Sequence, residues 1–400
     1  MLFVRNMADG IENKELADAV RRGQALTNGG YELYDRNAAA IMKLLQKILR
    51  LAKKEKEWYL YFYALYEIIY ESGRCNDYPA VVKYAEVYYK DCALYMDKEL
   101  PNYPNTQMAY LNAYIYERIF GAYYEYYQID DIKMDAFMKQ YEETVLKYGK
   151  AHFYYEREMQ LGILYRDADL LAHGKKYFEK YEHEIERCYV CSHKPLFGYY
   201  LFNSQMKLAE EFMETIVQKR IPKQHQWCYK YCEGAEAEPL CADLLRYSLT
   251  LCRADEFRFF YEKHWMKLPK KTRRLYSNDG DVRTFSAFLG SIIGDFEHLE
   301  EDLRRAELDV QESEKYTTVG CINDSLVWWC YFTLLGKSGV YEVTVNLPGL
   351  PQKENGKTDC LTVSEYFEKR ADDYGMKFAQ VRAKYDYRLV KDTYRECAGL

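Results

Sequence analysis

In the stretch EKEWYLYFYALYEIIYES, Tyr59, Tyr63, Tyr66 and Tyr70 recur at i, i+4, i+7 and i+11, and Trp58, Phe62, Leu65 and Ile69 form the adjacent stripe. A spacing near 3.6 places each set along one side of an α-helix, whereas a strand would change face at every residue. A helix that is apolar over roughly half its circumference must cover that side with another helix. The pattern recurs in QMAYLNAYIYERIFGAYYEYYQ, where Tyr116, Phe120, Tyr123 and Tyr127 share a face, and again in AHFYYEREMQLGILYRDADLLAHG. Tyrosine supplies 43 of the 400 residues, and only nine are proline. Tyrosine buries a ring and keeps a wet tip, and a chain poor in proline sustains long helices.

Short punctuators separate the helical stretches: SGRCNDYP around Gly73, ELPNYPNT with Pro101 and Pro104, HGK around Gly174, SHKP around Pro195 and IGDF around Gly294. Connections this short join antiparallel neighbours. Openings such as DYPAVVKYAEVYYKD, HGKKYFEKYEHEI and GDFEHLEEDLRRAEL return at irregular intervals, roughly 35 to 50 residues apart, near the range of helix-turn-helix repeats. The expected fold is therefore all-α, an α-α superhelix of irregular helical hairpins over residues 1–335, with a globular helical bundle as the alternative.

Residues 336–400 read differently. After the apolar segment INDSLVWWCYFTLLGK, the run VYEVTVNLPGLP alternates in the manner of a strand, predicting one short extended element near 340–347. A polar loop follows, and then VSEYFEKRADDYGMKFAQVRAKY, with Val363, Phe367, Tyr374, Phe378, Val381 and Tyr385 near heptad spacing. A solenoid needs its last apolar face covered, so this segment is expected to be a C-terminal capping helix.

The net charge of −6 argues against nucleic acid as a partner. No window reaches the ~20 apolar residues of a membrane span, so the expected location is the cytoplasm. Twelve cysteines spread over this length then read as mostly reduced thiols, in a chain long enough to fold without disulfide or metal.

One stretch suggests specific chemistry. RCYVCSHK holds Cys188 and Cys191 two residues apart, and WCYKYC holds Cys228 and Cys232. Zinc takes four thiolate or imidazole ligands, and a Cys-x-x-Cys on a turn is a half-site. Cys188, Cys191, Cys228 and Cys232 are the candidate ligands of a structural zinc, with Cys241, His193 and His225 as alternates. Read as a turn, the first pair lies after the helix ending in YEHEIERC and before one that Pro195 begins. A redox pair would prefer a helix N-terminus, so that reading is the weaker, and ordinary buried thiols are the bland alternative.

From these cysteines onward, the segments LCADLLRYSLTLCRADEF, RTFSAFLGSIIGDFEHLEEDL and GVYEVTVNLP follow in order. Over about residues 185–390 the chain resembles bacterial tetratricopeptide-like helical-repeat proteins of unassigned function that carry a Cys-x-x-Cys, a helix pair, a further cysteine and a late Leu-Pro element. The resemblance implies a helical-repeat fold and interaction in place of catalysis. An additional Cys228 and the tyrosine-rich first half depart from it.

No Gly-rich phosphate loop, His-Glu-x-x-His or nucleophile motif appears. The expected function is a non-catalytic scaffold that binds a protein or peptide through Tyr59, Tyr63, Tyr66 and Tyr70, together with Tyr116, Tyr123 and Tyr127. Inter-helix packing is the competing role for those rings. A peptide-responsive regulator, or a thiol- or metal-dependent enzyme using Cys188 and Cys191, are the alternatives.

Overall fold

The computed structural model describes residues 8–27, 31–95, 105–273, 280–313 and 318–400. The punctuator at Pro101 and Pro104 lies outside them. The helices run α1 (Lys14–Thr27), α2 (Tyr31–Glu55), α3 (Trp58–Arg74), α4 (Tyr78–Tyr95), α5 (Asn105–Glu125), α6 (Asp131–Tyr148), α7 (Ala151–Tyr165), α8 (Ala168–Tyr181), α9 (Tyr189–Phe202) and α10 (Met206–Val217). They continue with α11 (Cys228–Tyr231), α12 (Ala237–Thr250), α13 (Ala254–Lys263), α14 (Lys270–Arg273), α15 (Gly280–Ile292), α16 (Leu299–Ser313), α17 (Val319–Lys337), α18 (Cys360–Val381) and α19 (Tyr387–Cys397). The fold is all-α apart from one two-stranded antiparallel ribbon, β1 (Glu342–Val343) on β2 (Thr358–Asp359), in which Glu342 faces Asp359. The extended element expected near residue 340 thus finds its partner in the chain just before α18. Among the described residues no helix is long and apolar enough to cross a membrane.

The chain divides into two compact units, one of residues Met1–Tyr123 and Lys139–Lys150, the other of Tyr124–Met138 and Ala151–Leu400. In the first, α1 packs on α2, α2 on α3 and α3 on α4. The stripe Trp58, Phe62, Leu65 and Ile69 is buried, as its periodicity requires. Asp91 of α4 accepts hydrogen bonds from Tyr61 and, at 2.6 Å, from Lys53, so the buried Tyr61 ring is anchored at its polar end.

In the second unit α7/α8, α9/α10, α12/α13 and α15/α16 form successive hairpins, and the leading helices touch in series: α7 on α9, α9 on α12, α12 on α15 and α15 on α17. The residues around 336–400 belong to this same unit. Helix α18 packs along α17, and α19 turns back to rest on α12, α13 and α17. Sequence periodicity separates α18 but not α19, whose buried Tyr387, Val390, Tyr394 and Cys397 seat it against the array.

One backbone device closes the hairpins. Asn76, Arg166, Ser204 and Cys252 all have φ between 53° and 58°, and Gly294 has φ 71°, each two residues before the second helix of its pair or at the turn leading to it. The residue after each donates its N–H five positions back: Asp77 to Ser72, Asp167 to Gly162, Gln205 to Tyr200, Arg253 to Ser248 and Asp295 to Gly290, at 2.7–3.0 Å. This is the Schellman closure of a helix C-terminus. At Asp167 the side chain then accepts from the N–H groups of Asp169 and Leu170, starting α8.

A candidate thiolate metal centre

Helix α8 gives way to a single 3-10 turn at Glu182–Glu184, well before the first cysteine of the motif. Helix α9 then begins at Tyr189 with Cys188 in its N-cap position, and Ser192 N–H donates to the Cys188 carbonyl at 3.1 Å. The Cys-x-x-Cys therefore opens a helix, which corrects the expected turn after a helix end. Pro195 lies inside α9 instead of beginning it; with no N–H, it leaves the Cys191 carbonyl without the usual i+4 donor. Cys188 and Cys191 thus sit at the positive end of the helix dipole, where thiolates are favoured.

The other half comes from α11, the short helix opened by Cys228, with Cys232 directly after it. The sulfurs of Cys188, Cys191 and Cys232 lie within 4.8 Å of one another, with Cys191 Sγ and Cys232 Sγ 3.6 Å apart. Cys228 is buried, its sulfur accepting the Tyr189 N–H at 3.2 Å and hydrogen-bonding the Cys188 thiol. Among the described residues Cys188, Cys191 and Cys232, without Cys228, are the one group of three or more such side chains able to hold a metal ion.

Charge is shared unevenly. Hydrogen bonds from Cys191 and Cys232 hold the Cys188 thiol down at about 4 against the cost of burial. The two donors are correspondingly pushed up, Cys191 by its bond to Cys188 and Cys232 by its bonds to Cys188 and Cys191. Lys194, one turn beyond Cys191, pairs with Asp243 of α12 at 2.5 Å. Burial opposes its charge, but Asp243 and the Cys191 and Cys232 sulfurs keep the ammonium above its ordinary range. Lys194 carries a sequence signal that cysteine counting passes over, since it follows Cys191 by three residues and shares its side of a helix. Asp243 has no such signal.

The alternates stay outside. His193 is buried, with Nδ1 2.8 Å from the Tyr189 carbonyl and Nε2 3.1 Å from Glu182 Oε1, so both ring nitrogens are engaged. His225 is buried with its ring 5.2 Å from that of Tyr189. Cys241 is buried within α12, its sulfur 3.9 Å from the Phe260 carbonyl.

The tyrosines expected to bind a partner separate into two kinds. Tyr59, Tyr63, Tyr66 and Tyr70 form a half-buried ladder along α3 with successive ring centroids 6.1, 6.2 and 6.1 Å apart, and Arg118 lies 4.4 Å over Tyr70. Tyr116 and Tyr123 are buried, Tyr116 stacked on Tyr141 at 5.0 Å and set edge-on to Tyr88. Tyr127 is half-buried.

Behind the cysteine motif, His152 of α7 is fully buried, with Nδ1 3.7 Å from Glu184 Oε2. Burial pushes its pKa down, with Arg187 acting in the same direction and Glu184 and Glu156 against it. The unfolded chain therefore binds a proton here more readily than the folded one, and stability falls as pH drops below about 6.5, the ordinary histidine value. Melting temperature followed from pH 8 to pH 5 should decline more steeply for the wild type than for His152→Gln. Parallel curves would show that this histidine does not contribute to acid sensitivity.

Comparison of the chain with known protein families, with curated proteins and with solved structures finds no match.

Proposed function

We propose that this chain is a non-catalytic helical scaffold that holds a protein or peptide segment and is braced by a structural zinc ion at its thiolate cluster. The observation that carries the zinc is the convergence of the Cys188 and Cys191 sulfurs at the start of α9 with the Cys232 sulfur just after α11. A tetrahedron with zinc–sulfur bonds of about 2.3 Å has sulfur–sulfur edges of about 3.8 Å, and the Cys191–Cys232 separation of 3.6 Å matches such an edge. Cys188, Cys191 and Cys232 would supply three ligands, and Cys228, already beside Cys188, the fourth. An all-sulfur donor set selects zinc over magnesium or calcium. Lys194 would offset part of the negative charge of a zinc tetrathiolate.

The partner reading rests on the α3 ladder. Half-buried tyrosines offer flat apolar faces at low entropic cost, the composition of binding hot spots. A pull-down from the source cell should recover a partner that Tyr63→Ala with Tyr66→Ala no longer captures while circular dichroism stays unchanged. Lost helicity in that variant would instead assign the rings to packing. The reducing interior of a cell, where thiols persist, suits both halves of the proposal.

A thiol redox role is the second reading, favoured by the low-lying Cys188 at a helix N-terminus with Cys191 and Cys232 in contact beside it. Selective alkylation of Cys188 in metal-replete protein would favour it, because zinc-bound thiolates react slowly.

A further inference from the structure

The four cysteines of the thiolate centre differ in what can reach them. Cys191 is exposed, Cys188 and Cys232 are half-buried, and Cys228 is buried. A reagent arriving from solvent therefore meets Cys191 first. The Cys232 sulfur is in contact with it, 3.6 Å away although the two residues are 41 positions apart in the chain. A disulfide bond is about 2.05 Å long, so this pair must close by about 1.5 Å.

The backbone gives that movement to one side. Cys191 lies in the first turn of α9 and is held by the helix. Cys232 belongs to no helix: with φ −114° and ψ 100° it joins the four-residue α11 to a 3-10 turn at Glu233–Ala235. A Cβ on Gly234 would stand 3.1 Å from Lys194 Nζ and 3.7 Å from Cys232 Sγ, so the ammonium flanks the sulfur that must move. Its pairing with Asp243 at 2.5 Å fixes it there. Cys188, in contrast, is the N-cap of α9 and hydrogen-bonds the buried Cys228 on the side away from solvent.

From this geometry, and resting on the zinc site proposed above, we infer that the centre is a peroxide-responsive metal switch, in which hydrogen peroxide joins Cys191 to Cys232 and the zinc leaves. The Cys191 thiolate attacks one peroxide oxygen, the O–O bond breaks, and hydroxide departs to take up a proton as water. The Cys232 thiolate then attacks the sulfenic acid on Cys191; the S–S bond forms, the S–O bond breaks, and a second hydroxide leaves as water. Two electrons pass from the sulfurs to the peroxide, and two protons come from solvent. The Lys194 ammonium stands beside these sulfurs, where the developing hydroxide is favoured. Cys188 and Cys228 alone are too few to complete a tetrahedral site, so the ion is lost.

Zinc in the full chain is measured first, and hydrogen peroxide is then added in molar excess with a chromogenic zinc indicator present. Nearly all the zinc should be released, in step with one disulfide that peptide mapping under non-reducing conditions places between Cys191 and Cys232. Dithiothreitol with added zinc should restore the starting content. Zinc that stays bound in peroxide, release with Cys188 joined to Cys191 as the main disulfide, or release with sulfinic acids and no disulfide would each overturn the switch and leave the zinc reading standing. A chain that holds no zinc before peroxide, even when zinc is supplied, would overturn both.

Discussion

Protein purified without added metal should contain close to one zinc per chain, and Cys188→Ser combined with Cys191→Ser should abolish it. The four sulfurs come from α9 and α11, and the span between them, residues 203–227, contains α10 and one 3-10 turn. A metal that binds only the folded arrangement stabilises it by mass action, about 4 kcal/mol when free zinc is a thousandfold above its dissociation constant. For a unit of this size that corresponds to a fall in melting temperature on the order of 10 °C when a chelator strips the ion. Cys241→Ser, outside the cluster, should keep the zinc. Absence of metal, together with rapid alkylation of all four thiols, would sink the proposal.

Asp309→Ala should be the most damaging single substitution remote from the cysteines. Asp309 of α16 is buried, and its Oδ2 accepts from Thr284 Oγ1 of α15 and from Trp328 Nε1 of α17, each at 2.7 Å. Arg305 pairs with the same carboxylate. Removing it strands an indole N–H, a hydroxyl and part of a guanidinium between three helices. Breaking a buried pair in this way costs about 3–5 kcal/mol. Because Arg305 also reaches the exposed Glu312 at 2.8 Å, the lower end of that range is expected. Asp309→Asn keeps an acceptor for Trp328 and Thr284 and should lose about half as much. Urea denaturation of the two variants checks the order; an Asp309→Ala midpoint within error of wild type would show that the network contributes nothing net.

Much of this was legible in the residues. The stripe of Trp58, Phe62, Leu65 and Ile69 announces a helix and its buried side, because burial follows periodicity directly. Which tyrosine stripe stays half open is a different matter. Tyr63 and Tyr116 share the same spacing, and only the neighbours decide that Tyr116 lies under Tyr141 and Tyr88. At the cysteines the residues were read rightly as a pair and wrongly as a helix end. Proline favours the first turn of a helix, yet α9 carries Pro195 in its interior, and α8 stops at Tyr181 without a glycine. Lys194 is visible beside the motif, whereas its partner Asp243 is brought there by the packing of α9 on α12. Helix α19 escaped because a short amphipathic segment beyond a longer helix reads as its continuation.

The hairpin closures carry a lesson about where a repeat is stored. Asparagine, arginine, serine, cysteine and glycine all occupy the left-handed position, and every bond that closes the turn runs between backbone atoms. Side chains contribute little to the joint, so it places almost no demand on which letters spell it. The arms between joints can change length and composition while the joint persists, and a chain of this kind can keep its architectural grammar after its vocabulary has been replaced.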